Sequence, residues 1–203
     1  MSATPLQYVA LGDSYTIGTS VEETERWPNQ LVAAVGSNVL ELKANLAVTG
    51  YTSRDVIEFQ LPQLEQLRPD FATLLIGVND VVQGIPAERY HLNLRVIFDV
   101  LLWHARADRV LVVTTPDYTA TPHGADYGDP AAQRAGILRT NRLITETARG
   151  RGVRVVDIFD ISSRAEHDAA LVAADGLHPS GRQYALWVER IAPAVSALLE
   201  RPV

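Results

Sequence analysis

Short apolar runs alternate along this chain with longer segments of helical periodicity, and this alternation restricts the fold more than any other feature of the sequence. The apolar runs are predicted strands at residues 8–11, 39–46, 71–76, 109–114 and 153–158. Each run is too short and too continuous in apolar residues for a strand with one face in water. We therefore expect five strands that are buried on both faces.

The segments between these runs have the spacing of apolar residues that is typical of amphipathic helices, and several of them are bounded by Gly or Pro. The predicted helices cover residues 26–35, 53–66, 87–105, 131–149 and 181–199. A chain in which strand, helix and strand alternate forms a parallel sheet with helices on both sides. The sequence thus predicts an α/β fold, and we expect residues 1–203 to form a single domain.

Composition excludes several classes of partner and cofactor. The chain has 203 residues, of which 47% are hydrophobic, and a formal net charge of −6 with no basic run, so binding to nucleic acid or to an anionic membrane is not expected. There is no cysteine, which excludes disulfides and thiolate metal sites. The sequence shows neither a leader before the first strand nor an apolar stretch of membrane-spanning length, and this predicts a cytoplasmic protein. The oligomeric state is left open.

Ligands of open parallel sheets bind outside the carboxyl ends of the strands. The segments that follow the predicted strands carry polar groups and glycines, and they are Gly12-Asp13-Ser14, Ala47-Val48-Thr49-Gly50, Gly77-Val78-Asn79-Asp80 and, beyond the fifth strand, Asp175-Gly176-Leu177-His178-Pro179. Ser14 alone suggests a helix cap, because a Ser side chain readily accepts a backbone N–H at a helix N-terminus. The other segments decide whether it is also a nucleophile.

A base and an orienting carboxylate are available for Ser14. A serine hydroxyl becomes a good nucleophile when an imidazole accepts its proton, and the imidazole needs a carboxylate on its other nitrogen. Asp175 and His178 are three residues apart in a turn that contains a glycine, so the carboxylate can reach Nδ1 while Nε2 points toward the strand ends. The sequence therefore predicts Ser14, His178 and Asp175 as nucleophile, base and orienting acid.

Acyl transfer also needs fixed donors for the oxygen that gains charge in the transition state. We expect the backbone N–H groups of Ser14 and Gly50 and the side-chain amide of Asn79 to form this oxyanion hole. Gly50 suits the role because a glycine has no Cβ to block its N–H. The alternative for Asn79 is a turn-forming residue, as Asn often is after a strand.

Taken in order, GDSY at residues 12–15, NLAVTG at 45–50, GVND at 77–80 and DGLHP at 175–179 resemble the four signature blocks of the SGNH, or GDSL-type, hydrolases. The resemblance spans nearly the whole chain. It implies a three-layer α/β/α fold of the flavodoxin type, no metal or organic cofactor, and the catalytic roles given above. One departure is Tyr15, where many members of the family have leucine, and this change affects the pocket wall and not the nucleophile.

Other candidates are weighed against simpler roles. Asp13 is expected to cap a helix, because a carboxylate next to the nucleophile does not easily reach the far side of the histidine. Ser163 and His167 imitate a nucleophile and base on one helical turn, but no oxyanion donors lie near them in the sequence, so we expect both to be surface residues. Tyr15, Tyr118 and His123 are candidate substrate-binding residues; packing explains the tyrosines equally well, and His123 is as readily solvent-exposed.

The long segment at residues 115–130 is expected to border the site, because irregular connections of this length often line one. Its three aspartates make it acidic, and the chain lacks a basic amphipathic helix. The predicted function is hydrolysis of small, short-chain carboxylic esters through a Ser14 acyl-enzyme. Alternatives are a thioesterase, lysophospholipase or transacylase that uses the same residues, or a catalytically silent binding protein of this fold.

Overall fold

A parallel sheet forms the centre of the molecule in the computed structural model, which describes residues 4–200. Within that range five strands pair in the order β2-β1-β3-β4-β5. Their bounds are β1 (Leu6–Gly12), β2 (Leu40–Asn45), β3 (Phe71–Leu75), β4 (Val110–Val113) and β5 (Arg154–Val156). All four pairings are parallel. The predicted α/β fold with a five-stranded parallel sheet is confirmed.

Nine α-helical segments accompany the sheet in the described part of the chain. They are α1 (Ser14–Ile17), α2 (Trp27–Val35), α3 (Ser53–Asp55), α4 (Leu64–Leu67), α5 (Val78–Val82), α6 (Ala87–His104), α7 (Pro130–Arg149), α8 (Phe159–Ser162) and α9 (Gly181–Leu199). The long helices α2, α6, α7 and α9 lie where periodicity predicts them. The short helices α1, α5 and α8 were not predicted, because a helix of about one turn is too short to show a period in its apolar residues.

Helices cover both faces of the sheet and create two hydrophobic clusters. On β1, Tyr8 and Ala10 belong to one cluster and Val9 and Leu11 to the other, because successive side chains of a strand point to opposite faces. The first cluster contains the apolar faces of α2 and α9, and the second contains that of α6. β1 is therefore buried on both faces, as the sequence predicts.

The prediction of two buried faces is wrong for the edge strands. In β2, Glu41 and Lys43 are exposed, and Arg154 of β5 is exposed as well. An edge strand has a neighbour on one side only, and charged side chains there discourage pairing with another chain. The apolar residues of β2 are interrupted by Glu41 and Lys43, whereas β3 and β4 are buried along their whole length.

The predicted helix at 53–66 is interrupted. Between α3 and α4 the chain forms a π-helical turn (Val56–Gln60) and a 3-10 turn (Leu61–Gln63). Pro62 explains the interruption, because a proline removes a backbone donor and its ring clashes with the preceding turn. The interruption delivers the buried Gln60 to β1, where its side-chain amide accepts from the Gly12 N–H (3.0 Å) and donates to the Gly12 carbonyl (2.7 Å).

Among residues 4–200, no helix is both long and apolar enough to cross a lipid bilayer. The predicted cytoplasmic location stays a prediction, as does the expectation that residues 1–203 form one domain.

Candidate active site

The end of β1 is held against β3 and leads directly into Ser14. A Cβ at Gly12 would overlap the Leu75 carbonyl and the Thr16 side chain, so the close approach of these backbones requires glycine. Asp13 then caps α1 by accepting the Tyr15 N–H at 3.0 Å, which confirms its predicted capping role. Ser14 is the first residue of α1 and is 4% exposed.

Asp175 and His178 form a hydrogen-bonded pair in the loop before α9. His178 Nδ1 lies 2.6 Å from Asp175 Oδ2. The other carboxylate oxygen accepts the backbone N–H groups of Leu177 and His178, both at 2.9 Å. The turn thus folds the carboxylate back onto the imidazole, which is the arrangement expected from the spacing of these residues.

The hydrogen bonds around Asp175 keep its carboxylate ionised. Partial burial on its own would raise the pKa of this group. The Ser20 hydroxyl, the two backbone amides and the His178 ring oppose that effect, and together they hold the pKa of Asp175 well below its usual range. A carboxylate that stays charged can fix the imidazole tautomer and stabilise the imidazolium.

A cavity of about 230 Å³ joins the segments that follow β1, β2 and β3 to the loop before α9. Ser14, Gly50, Asn79 and His178 all line it. The structure therefore brings four of the five predicted catalytic and oxyanion residues to one cavity, with Asp175 behind His178. Within the described chain the Ser14 hydroxyl makes no direct hydrogen bond to the imidazole; such bonds are often long before substrate binds.

The Gly50 backbone N–H and the Asn79 side-chain amide, both predicted oxyanion donors, are held in place by different features. Gly50 has φ +86°, and nothing lies within 4 Å of the position of an added Cβ, so the backbone conformation and not lack of space requires glycine here. Asn79 donates from its amide nitrogen to the Tyr51 carbonyl at 2.9 Å. That bond fixes the amide plane and leaves its second N–H for another acceptor.

Apolar side chains complete the wall of the cavity. Tyr15 packs on the catalytic candidate His178 with ring centroids 5.2 Å apart. The other apolar lining residues are Val78, Val82, Tyr118, Tyr127 and Leu177. Tyr15 and Tyr118 therefore lie where the sequence places them as substrate-binding candidates. Tyr127 was missed; its position in the long loop at residues 115–130 was the available signal.

His123, the third substrate-binding candidate, is not in the wall of this cavity. Its ring pairs with Asp126 at 2.8 Å and is 57% exposed. Its backbone N–H donates to the Gly176 carbonyl at 3.0 Å, and its ring lies against the Cα of Gly176. His123 therefore supports the turn that carries Asp175 and His178.

The loop at residues 115–130 is less acidic toward solvent than its composition suggests. Asp117 is 1% exposed and pairs with Arg134, and it accepts the hydroxyls of Thr119 (2.5 Å) and Ser163 (2.9 Å). Ser163 is thus half-buried and occupied by this bond, not a free surface group as predicted. His167 is exposed.

Two carboxyls in the segments that carry Ser14 and Asn79 are buried, those of Asp13 and Asp80. Burial raises the pKa of Asp13 to about 8; its bond to the Tyr15 N–H opposes the rise and the nearby Asp80 adds to it. Burial also raises the pKa of Asp80, against the bonds it accepts from the Ser53 hydroxyl (2.5 Å) and N–H (2.9 Å). Neither carboxyl lines the cavity with Ser14, so both are structural.

Metal-ligating side chains do not cluster in the part of the chain that the structure describes: no three of His, Cys, Asp or Glu are grouped so as to hold a metal ion. The expectation of a reaction without metal or organic cofactor stays a prediction.

The chain matches the model of the GDSL-like lipase/acylhydrolase family over residues 10–186. It belongs to this family. The match includes the segments of Ser14, Gly50, Asn79 and the Asp175–His178 pair, and it makes the chain an enzyme that hydrolyses ester bonds. The resemblance to the GDSL-type hydrolases is confirmed.

Solved structures of lipolytic proteins and esterases share the fold. A member of the lipolytic G-D-S-L family from Veillonella parvula is 16% identical, with a TM-score of 0.74 over 94% of this chain and 98% of its own. The lipase/acylhydrolase from Enterococcus faecalis is 21% identical, with a TM-score of 0.72 over 95% and 96% of the two chains. The acetylxylan esterase Axe2 from Geobacillus stearothermophilus is 18% identical, with 0.72 over 100% and 98%. No curated protein matches the chain significantly in sequence.

The raised pKa of Asp13 predicts how stability depends on pH. The unfolded chain loses this proton near pH 3.8, whereas the folded chain keeps it until about pH 8, so Asp13 lowers the free energy of unfolding as pH rises between these values. Asp13→Asn mimics the neutral acid and removes this dependence. We expect the melting temperature of the variant, relative to wild type, to rise from pH 4 to pH 8. A constant difference across that range would contradict the buried neutral carboxyl.

Proposed function

We propose that this GDSL-family enzyme hydrolyses small carboxylic esters through an acyl-enzyme on Ser14. The observation that carries the proposal is the Asp175–His178 pair at the cavity that Ser14, Gly50 and Asn79 also line. These groups supply a nucleophile, a base, an orienting acid and oxyanion donors within one enclosure, and acyl transfer needs all four.

The reaction follows from these positions. His178 Nε2 takes the proton of the Ser14 hydroxyl as the serine oxygen bonds to the ester carbonyl carbon. The imidazolium, stabilised by Asp175, then gives the proton to the departing alcohol oxygen as the ester C–O bond breaks. A water molecule, deprotonated by the same imidazole, then attacks the carbonyl carbon of the acyl-enzyme. The imidazolium returns the proton to the Ser14 oxygen as its bond to the acyl carbon breaks, which releases the carboxylic acid and the free Ser14 hydroxyl.

The oxyanion of both tetrahedral intermediates is the group that most needs stabilisation. Three donors are available at the cavity: the backbone N–H groups of Ser14 and Gly50 and the Asn79 side chain. Fixed donors that meet the charge only as it develops lower the barrier without tightening substrate binding. The bond from Asn79 to the Tyr51 carbonyl orients its amide in advance.

The size and lining of the cavity favour a short acyl group. Its volume of about 230 Å³ is below the roughly 300–1,000 Å³ of pockets for drug-sized ligands. Three tyrosines, two valines and a leucine line it, so an apolar acyl chain fits better than a charged one. These features support a small ester as substrate.

Removing the nucleophile tests the proposal directly. Ser14→Ala should fold normally and lose nearly all esterase activity, because the proposed mechanism forms the acyl-enzyme on the Ser14 oxygen. A fluorophosphonate should label the wild-type protein once, at Ser14. Ser163→Ala is the matched control and should keep its activity and labelling. Labelling at another residue, or full activity of Ser14→Ala, would contradict the assignment of Ser14 as the residue that forms the acyl-enzyme.

Asn79→Ala separates an oxyanion donor from a turn residue. A donor that strengthens in the transition state should lower kcat by roughly 10² to 10³, or about 3 to 4 kcal/mol, with KM little changed. A turn residue would cost on the order of 1 kcal/mol of stability and leave kcat nearly intact.

Asn93→Ala is the matched control for Asn79. Asn93 also donates one side-chain hydrogen bond, to the Ser53 hydroxyl at 2.9 Å, but it does not line the cavity with Ser14. We expect a similar small fall in melting temperature for both variants and a large fall in kcat for Asn79→Ala alone. A kcat of Asn79→Ala within about threefold of wild type would remove it from the site.

The cavity volume predicts the acyl preference. With p-nitrophenyl esters of graded length, kcat/KM should be highest at roughly two to four acyl carbons and fall for longer chains, because the volume is small for a longer group. Activity should not jump when a substrate passes its micelle concentration. Higher activity on long-chain triglyceride emulsions than on short dissolved esters would overturn this preference.

A further inference from the structure

The loop that follows α1 holds Ser20 in a backbone conformation that L-residues rarely adopt. Ser20 has φ +67°, and among residues 4–200 the non-glycine positions with positive φ are Ser20 and Arg68. This region is unfavourable for a residue with a Cβ, and glycine is the usual choice for it. A serine at such a position needs another reason, because its side chain is exposed and fills no core space.

The side-chain contact of Ser20 supplies that reason. Its hydroxyl donates to Asp175 Oδ2 at 2.6 Å, across 155 positions of the sequence. The same oxygen lies 2.6 Å from His178 Nδ1. The other partners of this carboxylate belong to its own turn. Ser20 therefore joins the Asp175 carboxylate to the segment that carries Ser14 by a hydrogen bond.

The same loop also reaches the proposed oxyanion segment. The hydroxyl of Thr19 lies 2.8 Å from that of Thr49, which precedes Gly50. Gly18, at the C-terminus of α1, and Thr19 both donate their N–H groups to the Ser14 carbonyl at 3.1 Å. Residues 18–20 thus connect the nucleophile segment with both the donor loop and the acid.

We propose that Ser20 is a positioning residue of the active site, whose hydroxyl fixes the Asp175 carboxylate and through it the His178 imidazole toward Ser14. The inference rests on the proposed function. Without the hydroxyl, Asp175 keeps its bonds to the backbone of its own turn. It loses the hydrogen bond that joins it to the segment carrying Ser14. The loss affects orientation in the transition state more than substrate binding, since Ser20 does not line the cavity.

Two substitutions of Ser20 move stability and activity in opposite directions. Ser20→Gly removes the hydroxyl and also the conformational strain of positive φ, so its melting temperature should equal or exceed that of wild type. Its kcat should fall about tenfold with KM within about twofold, the effect expected for one lost hydrogen bond to a charged group. Ser20→Thr keeps the hydroxyl but adds a branched Cβ; it should melt lower and keep kcat within about threefold of wild type.

Arg68→Gly is the control for the backbone effect. Arg68 has φ +46° at the C-terminus of α4 and is exposed. It precedes the amino end of β3, at the opposite end of the strands from the site. This variant should gain stability like Ser20→Gly and keep the kcat of wild type. All three variants are compared with Ser14→Ala on a p-nitrophenyl ester of short acyl length, at a temperature where every protein is folded.

The outcomes separate the two proposals. A full kcat in Ser20→Gly, with Ser14→Ala inactive, overturns the role of Ser20 and leaves the acyl-enzyme intact. A kcat that falls in both Ser20 variants in proportion to their melting temperatures also overturns it, because a merely structural residue acts in that way. Full activity of Ser14→Ala overturns the proposed function itself. A low kcat in a stable Ser20→Gly, restored in Ser20→Thr, supports the positioning role.

Discussion

The pairing of β1 between β2 and β3 is the constraint on which the site depends. β1 leads the chain into the sheet, and the order β2-β1-β3 means that the connections from β1 and β3 leave in different directions. A crevice opens at such a reversal, outside the carboxyl ends of the strands. Ser14, Gly50 and Asn79 follow β1, β2 and β3, so the sheet alone brings them to one edge. Gly12 permits the close approach of β1 and β3, and the Gln60 side chain bonds to both backbone groups of Gly12.

Burial of the carboxyls near Ser14 extends this constraint to electrostatics. Asp13 and Asp80 are inside the protein, where burial raises the pKa of each, whereas Asp175 lies near the surface among donors that lower its pKa. The three carboxyls therefore differ in how readily they ionise. In the proposed reaction, a charged Asp175 and less readily ionised neighbours favour proton transfer to His178 and limit repulsion around the oxyanion.

The sequence predicts the central part of the fold and of the site, and it fails where contacts between distant segments decide. β1, β3 and β4 are continuous apolar runs, and α6, α7 and α9 are long enough to show a period, so local pattern specifies them. The exposure of β2 and β5 depends on the strand order, which no local pattern contains. The Asp175–His178 pair is predictable because both groups share one turn.

The contact of Ser20 with Asp175 is not predictable, because the two residues are far apart in the chain and a positive φ at serine has no sequence signal. The burial of Asp117 likewise depends on its distant partner Arg134.

The long loop at residues 115–130 is attached to the body of the protein, and this attachment bears on whether the loop can act as a mobile lid. Asp117 pairs with Arg134 of α7 and accepts from Ser163, and the Tyr118 hydroxyl bonds to Gln133 of α7 at 2.5 Å. These bonds fix the segment that carries Tyr118 to two neighbouring elements, and breaking them would leave the buried Asp117 carboxylate without its partners, which is costly. A lid that opens at a lipid surface must separate from the body of the protein at low cost. A wall anchored in this way is preformed instead, which supports the proposed preference for small esters dissolved in water.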